Sequence, residues 1–188
     1  QRSNSVSRVL PKWKRWEERY GDLEGIADAA HLNLKRFPQY QTYFKRRKID
    51  EFISEGRLGS LDGWITFPVY SRDGILRDIV VRSQSNRGDV RYVVSPSERG
   101  SHHSLYVPSW KNVDENEIIF VVYGICDSIS MHLAGLACIT GISGKSLSSD
   151  AVLQVGRKRF VIVPDAGEER EAHKLANQLG WRCRVKEL

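Results

Sequence analysis

The run Glu117-Ile118-Ile119-Phe120-Val121-Val122-Tyr123-Gly124-Ile125-Cys126-Asp127 decides how the rest of the chain is read. Its unbroken apolar stretch, 118–123, predicts a strand buried on both faces, because a strand with one wet face would alternate. Residues 126–134 then predict a short helix. The alternation repeats with a strand over 137–140, a helix over 148–155 with Ser148 as N-cap, and a third strand over 159–163. Residues 167–179 give the clearest helix, with Ala172, Leu175, Ala176 and Leu179 at i, i+3, i+4 and i+7. Gly180 is placed to end it, and 181–185 reads as a last strand. Apolar strands alternating with amphipathic helices predict an α/β fold: a parallel sheet with helices on both faces.

Upstream the pattern differs. Residues 1–39 read as a polar N-terminus followed by an amphipathic helix, in which Trp13, Trp16 and Tyr20 recur at helical spacing. Residues 40–115 predict a smaller mixed α+β lobe. Helical character over 40–55, with Tyr43, Phe44 and Phe52 as packing residues, precedes strands at 63–70 and 75–82. Asp73-Gly74 between those strands is a strong hairpin signal. A third strand is expected at 90–94 and a short fourth at 104–107. The second lobe then occupies 116–188.

Composition narrows the function classes. Lys and Arg total 29 against 23 Asp and Glu, and the excess is concentrated: residues 1–60 hold 13 basic and 8 acidic side chains. The run Lys45-Arg46-Arg47-Lys48 lies there and suits a phosphate backbone, or else forms a solvated helix face. No apolar run approaches the roughly 20 residues that span a bilayer, and no secretion leader opens the sequence, so an intracellular, cytoplasmic location is expected. A chain that opens on Gln1 is read as a piece of a longer one. Cys126, Cys138 and Cys183 form no CxxC pair, so reduced thiols and no zinc site are expected.

In open α/β sheets, ligands bind outside the carboxyl ends of the strands. Those ends here are 123–127, 140–145 and 164–169. Asp127, Asp165 and Glu168 are predicted to converge there, either to hold Mg²⁺ or Mn²⁺ or simply to cap helices. The loop Gly141-Ile142-Ser143-Gly144-Lys145-Ser146 has the look of a phosphate-binding P-loop. That motif requires a glycine where Ile139 stands, so the reading fails and Lys145 is left as an exposed cation.

The order of elements from 117 onward resembles the Toprim domain shared by primases and topoisomerases. That pattern has a strand ending in Glu-Gly, an acid in the next helix, and a later strand ending in Asp-x-Asp. Here Val121-Val122-Tyr123-Gly124-Ile125-Cys126-Asp127 and Val163-Pro164-Asp165-Ala166-Gly167-Glu168 stand in those places. Upstream, Tyr43-Phe44-Lys45-Arg46-Arg47 is similar to the Y-F-x-x-R-G helix of bacterial and phage-type DNA primases. The 63–82 hairpin ending in Arg82, and Arg91-Tyr92-Val93-Val94-Ser95-Pro96, are similar to further primase-core segments.

The resemblance implies a DNA-binding, primase-like protein working in replication, with DNA and replication proteins such as a helicase as partners. It implies nucleic-acid contacts at Lys45, Arg46, Arg47, Arg82, Arg91, Tyr92 and Lys145, and a catalytic set at Tyr123, Asp127 and Asp165. Two departures bear on the chemistry. Tyr123 stands where the family has its glutamate, and Gly167 falls on the second Asp; shifted by one residue, Asp165 takes that place and the first Asp is lost. A degenerate acidic motif with impaired primer synthesis is therefore expected, against alternatives of an active Mg²⁺-dependent primase or a non-catalytic interaction module.

Overall fold

The computed structural model describes residues 13–83, 93–94, 105–142 and 147–186, which form two sheets joined through shared helices. The first sheet is antiparallel, in the order β1 (Gly59–Leu61), β2 (Trp64–Tyr70), β3 (Leu76–Ser83), β4 (Val93–Val94). The Asp73-Gly74 signal is realised: β2 and β3 pair from Trp64↔Ser83 to Tyr70↔Leu76. Alternate residues of this sheet feed two different cores. Trp64, Leu76, Ile79 and Val81 pack against α1 (Trp13–Tyr20) and α2 (Leu23–Arg36). Ile65, Phe67, Val69 and Val80 face the opposite way, onto Phe44, Phe52 and the second lobe. Burial on both faces explains why β2 is apolar at every position but Thr66.

Helix α2 has no counterpart in the sequence reading. Asp22 caps it by accepting from the Gly25 N–H at 3.1 Å, and its buried face is Ile26, Ala27, Ala30 and Leu34. Two of those four are alanines, which carry little apolar signal. The helix lies so close to β1 that a Cβ on Gly59 would come within 2.6 Å of the Ala30 backbone.

The helix expected over 40–55 is broken. A 3-10 turn (Pro38–Gln41) leads into α3 (Thr42–Arg47), Lys48 closes it at φ 57, and a second 3-10 turn follows (Asp50–Phe52). The core requires the break. Phe44, Ile49, Phe52 and Ile53 all join one cluster, yet at about 100° per residue one straight helix would spread them over half its circumference.

The second sheet runs β5 (Leu105–Tyr106), β7 (Cys138–Gly141), β6 (Ile118–Val122), β8 (Arg159–Ile162), β9 (Cys183–Val185). All neighbours are parallel except β5, which pairs antiparallel with β7. The expected adjacency of β6 and β8 is present, with Ile119 opposite Phe160 and Val121 opposite Ile162. The short strand expected at 104–107 belongs to this sheet and not to the hairpin. Helix α4 (Trp110–Glu115), also missed in sequence, packs here through Val113.

Helices α6 (Ser149–Leu153) and α7 (Glu169–Leu179) cover one face with α4. The Ser148 cap forms as expected, its hydroxyl accepting from the Ala151 N–H at 3.2 Å. Helix α5 (Ile125–Leu133) packs over β6 and β7 on the other face, inserting Ile125, Cys126 and Ile129 between the two sheets. Coverage of that face is uneven, because Ile118 and Arg159 are exposed and Val161 half-buried.

The hairpin tip is tied to the second lobe by Arg72. Its guanidinium meets Asp114 at 2.9 Å, donates to the Val155 carbonyl at 2.9 Å, and lies 5.0 Å from the centre of the Trp110 ring. Trp110 in turn donates to the Tyr70 carbonyl at 2.8 Å. Cys126, Cys138 and Cys183 are all free thiols. Among the described residues, no helix is long and apolar enough to cross a membrane.

Candidate nucleic-acid interface and acidic sheet edge

A cleft of about 420 Å³ opens between α3, the turn before it and β3, lined by Gln39, Tyr40, Thr42, Tyr43, Arg46, Arg47 and Arg82. Arg82 meets Arg46 and Arg47, distant from it in sequence, because α3 presents that pair beside the strand that carries Arg82. Arg82 donates to the Tyr43 hydroxyl at 3.3 Å, with its guanidinium carbon 5.8 Å from the ring centre. That contact sets the direction of the charge, and it holds the Tyr43 ring edge-on to Phe44 at 5.5 Å. The chemistry offered is a set of guanidinium forks beside two phenol rings, which suits phosphate groups and planar bases. Lys45 is exposed on the same helix but does not line the cleft.

The second feature is the carboxyl edge of the parallel sheet. Tyr123 follows β6 and Asp165 follows β8, so the parallel pairing brings both to one end. Burial and the negative field of Glu168, Glu171 and Asp165 push the Tyr123 phenol up to about 12, which keeps it protonated at neutral pH. Asp165, although exposed at the surface, is likewise raised from its ordinary value, first by partial desolvation and then by the charge of Asp127. Asp127 sits in the first turn of α5, and its carboxylate lies so close over Gly124 that a Cβ there would be 2.1 Å from Oδ2. Glycine at 124 is what lets that acid fold back to the helix start. One oxygen of Glu168 is shielded from solvent at the head of α7.

The two features adjoin. The Tyr43 hydroxyl is 3.4 Å from the Cys126 sulfur, so the aromatic wall of the cleft touches the residue next to Asp127.

No family model and no curated protein sequence matches the chain. The solved structures do: the E. coli primase catalytic core superposes with a TM-score of 0.70 at 15% identity, over 88% of this chain and 71% of that one. This chain has the fold of a primase catalytic core. A DnaG primase catalytic domain bound to ssDNA superposes at 0.69, with 14% identity over 94% of this chain and 74% of that one. The RNA polymerase domain of Mycobacterium tuberculosis primase DnaG, in complex with a DNA duplex carrying a 6-nucleotide overhang, gives 0.71 at 15% identity, over 93% and 73%.

Within this primase-core fold, the residues singled out in sequence fall into two groups. Arg46, Arg47 and Arg82 are brought together in the cleft; Tyr123, Asp127, Asp165 and Glu168 are brought to the sheet edge. Among the described residues, no three His, Cys, Asp or Glu side chains are grouped so as to hold a metal ion. Arg91, Tyr92 and Lys145 lie outside the described residues. Sequence reasoning passed over Glu171, whose charge in the first turn of α7 adds to the field at the Tyr123 phenol. It also assigned Tyr43 to packing alone, although its spacing from Arg46 and Arg47 on one short helix marks the three as neighbours.

Proposed function

We propose that this chain is a primase-like domain that binds single-stranded or template DNA in replication, with primer-synthesis chemistry impaired. The observation that carries the reading is the meeting of Arg46, Arg47 and Arg82 with Tyr40 and Tyr43 in one cleft. Guanidinium forks engage phosphates bidentately and phenol rings stack on bases, so the lining matches a polynucleotide better than a small apolar ligand. The DNA-bound structures of the same fold support it by analogy.

The impairment rests on Tyr123. Phosphoryl transfer on two metal ions needs carboxylates that bridge or flank the pair. A phenol raised to about 12 supplies no anion at neutral pH. Asp127 and Asp165 remain, and two carboxylates fit one weakly held Mg²⁺ or Mn²⁺ that keeps its own waters. The residues present do not fit a two-metal centre. A second reading, an active Mg²⁺-dependent primase, has one observation in its favour. Asp165 and Asp127 are near enough for one charge to raise the other's proton affinity, the relation that a cation between them would relieve.

The test offers the protein a single-stranded template, nucleoside triphosphates and either Mg²⁺ or Mn²⁺. The expected result is template binding without primer products. Robust, metal-dependent primer synthesis by the unmodified protein would promote the second reading.

A further inference from the structure

The β8–β9 side of the second sheet carries an unexplained tryptophan. Trp181, in the 3-10 turn (Gly180–Arg182) that enters β9, is 86% exposed. Packed tryptophans bury about 150–250 Å² each, so an indole left in water gives almost nothing to folding. The Arg182 guanidinium lies 5.4 Å from its ring centre.

Beyond Trp181 the chain carries a line of cations. β9 is the edge strand, and Cys183 and Val185 turn inward onto the core beneath α7. By alternation Arg184 faces the other way, Lys186 one step past the strand shares its parity, and Arg182 stands in the turn that enters it. Arg184 and Lys186 are exposed. Residues 181–186 hold three basic side chains and no acidic one. None of the three is ion-paired with a described residue. The Lys186 N–H donates to the Ile162 carbonyl at 2.8 Å, which places the end of the line at the carboxyl edge where Asp165 stands. On the same face the pairing sets Val161 beside Arg184 and Phe120 beside Val161, both half-buried. The two-residue step from Arg184 to Lys186 is about 7 Å along an extended strand, enough for neighbouring phosphates of one strand.

We propose that this edge is a second contact surface for single-stranded nucleic acid, separate from the arginine cleft. Trp181 is the stacking platform, and Arg182, Arg184 and Lys186 lead the phosphates up β9 toward the carboxyl edge. Charge complementarity selects a polyanion, and the flat, solvated indole selects one with bases.

The test measures binding of a labelled oligothymidylate of about 16 nucleotides by anisotropy across a salt series, with melting curves as the folding control. Trp181→Ala is expected to weaken binding about tenfold without changing the salt slope, since stacking releases no counterion. Trp181→Phe is expected to retain most of the affinity. Arg184→Gln with Lys186→Gln is expected to flatten the slope by about 1.4. If these variants bind as the wild type does, while Arg46→Gln, Arg47→Gln and Arg82→Gln together abolish binding, the edge is overturned and the cleft stands. The opposite pattern keeps the edge and removes the cleft. Competition by polyglutamate as strong as by the oligonucleotide, unaffected by Trp181→Ala, would replace the nucleic acid with an acidic protein partner. No binding by the wild type at low salt overturns both surfaces.

Discussion

Tyr123 and Asp165 share the carboxyl edge with their proton affinities raised in the same direction, and both shifts have consequences for stability. A carboxyl raised in the folded state contributes stability at low pH, below its unfolded value near 3.9, and that contribution is lost as pH rises through the folded value. Asp165 therefore weakens the fold at neutral pH. Asp165→Asn should raise the melting temperature at pH 7 by the equivalent of about 0.5 kcal/mol, solvent screening included, with the gain vanishing in acid. A thermal melt series from pH 3 to 8 would show it, and an unchanged difference across that range would refute the assignment. Tyr123→Glu should do the reverse, because a fourth carboxylate joins Asp165, Glu168 and Glu171. It should cost about 1–2 kcal/mol in chelator and recover on adding Mn²⁺, a larger ligand-linked gain than the weakly held ion gives the wild type. Restoring an acid at Gly167 is a poorer experiment than the sequence implies. Gly167 adopts φ 88, and its N–H donates to Glu169 at 3.0 Å, so a side chain there strains the turn.

At the scale of the element, close approach explains both a prediction and a gap in what could be read. Gly59→Ala should destabilise by about 1–3 kcal/mol, since its new methyl would press on the backbone of α2; a neutral denaturation midpoint would mean that α2 can give way. The helix that makes this contact was invisible in sequence because its inward face is half alanine. The break at Lys48 was equally hidden, as only the shared core of Phe44, Ile49, Phe52 and Ile53 reveals it. Where a strand is apolar at nearly every position, as in β6 and β2, the residues announce it, although burial of β6 and β8 is complete on one face only. α7 was legible for the same kind of reason, its apolar stripe and Gly180 stop being unopposed by tertiary demands. The candidate site divides likewise. Tyr123, Asp127 and Asp165 were readable because strand ends in a parallel sheet share an edge. The cleft was not, because uniting Arg82 with Arg46 and Arg47 depends on how the hairpin packs against α3.

At the scale of the whole molecule, the two sheets share one core through α5 and are clasped at the hairpin tip by Arg72. The cleft between α3 and β3 is thereby held against the first turn of α5 and the acidic edge beside it. A polynucleotide seated in the cleft meets a fixed array of cations, and its affinity should depend on salt in proportion to the phosphates they neutralise. Binding of single-stranded DNA by this array is what the proposed function requires. It is tested by titrating a labelled oligonucleotide against the wild type and against the combined Arg46→Gln, Arg47→Gln and Arg82→Gln variant over a range of salt. The predicted result is tight binding at low salt that falls steeply in the wild type, with a slope shallower by about 2 in the variant. Absence of binding at low salt, or an identical slope in both proteins, would contradict it.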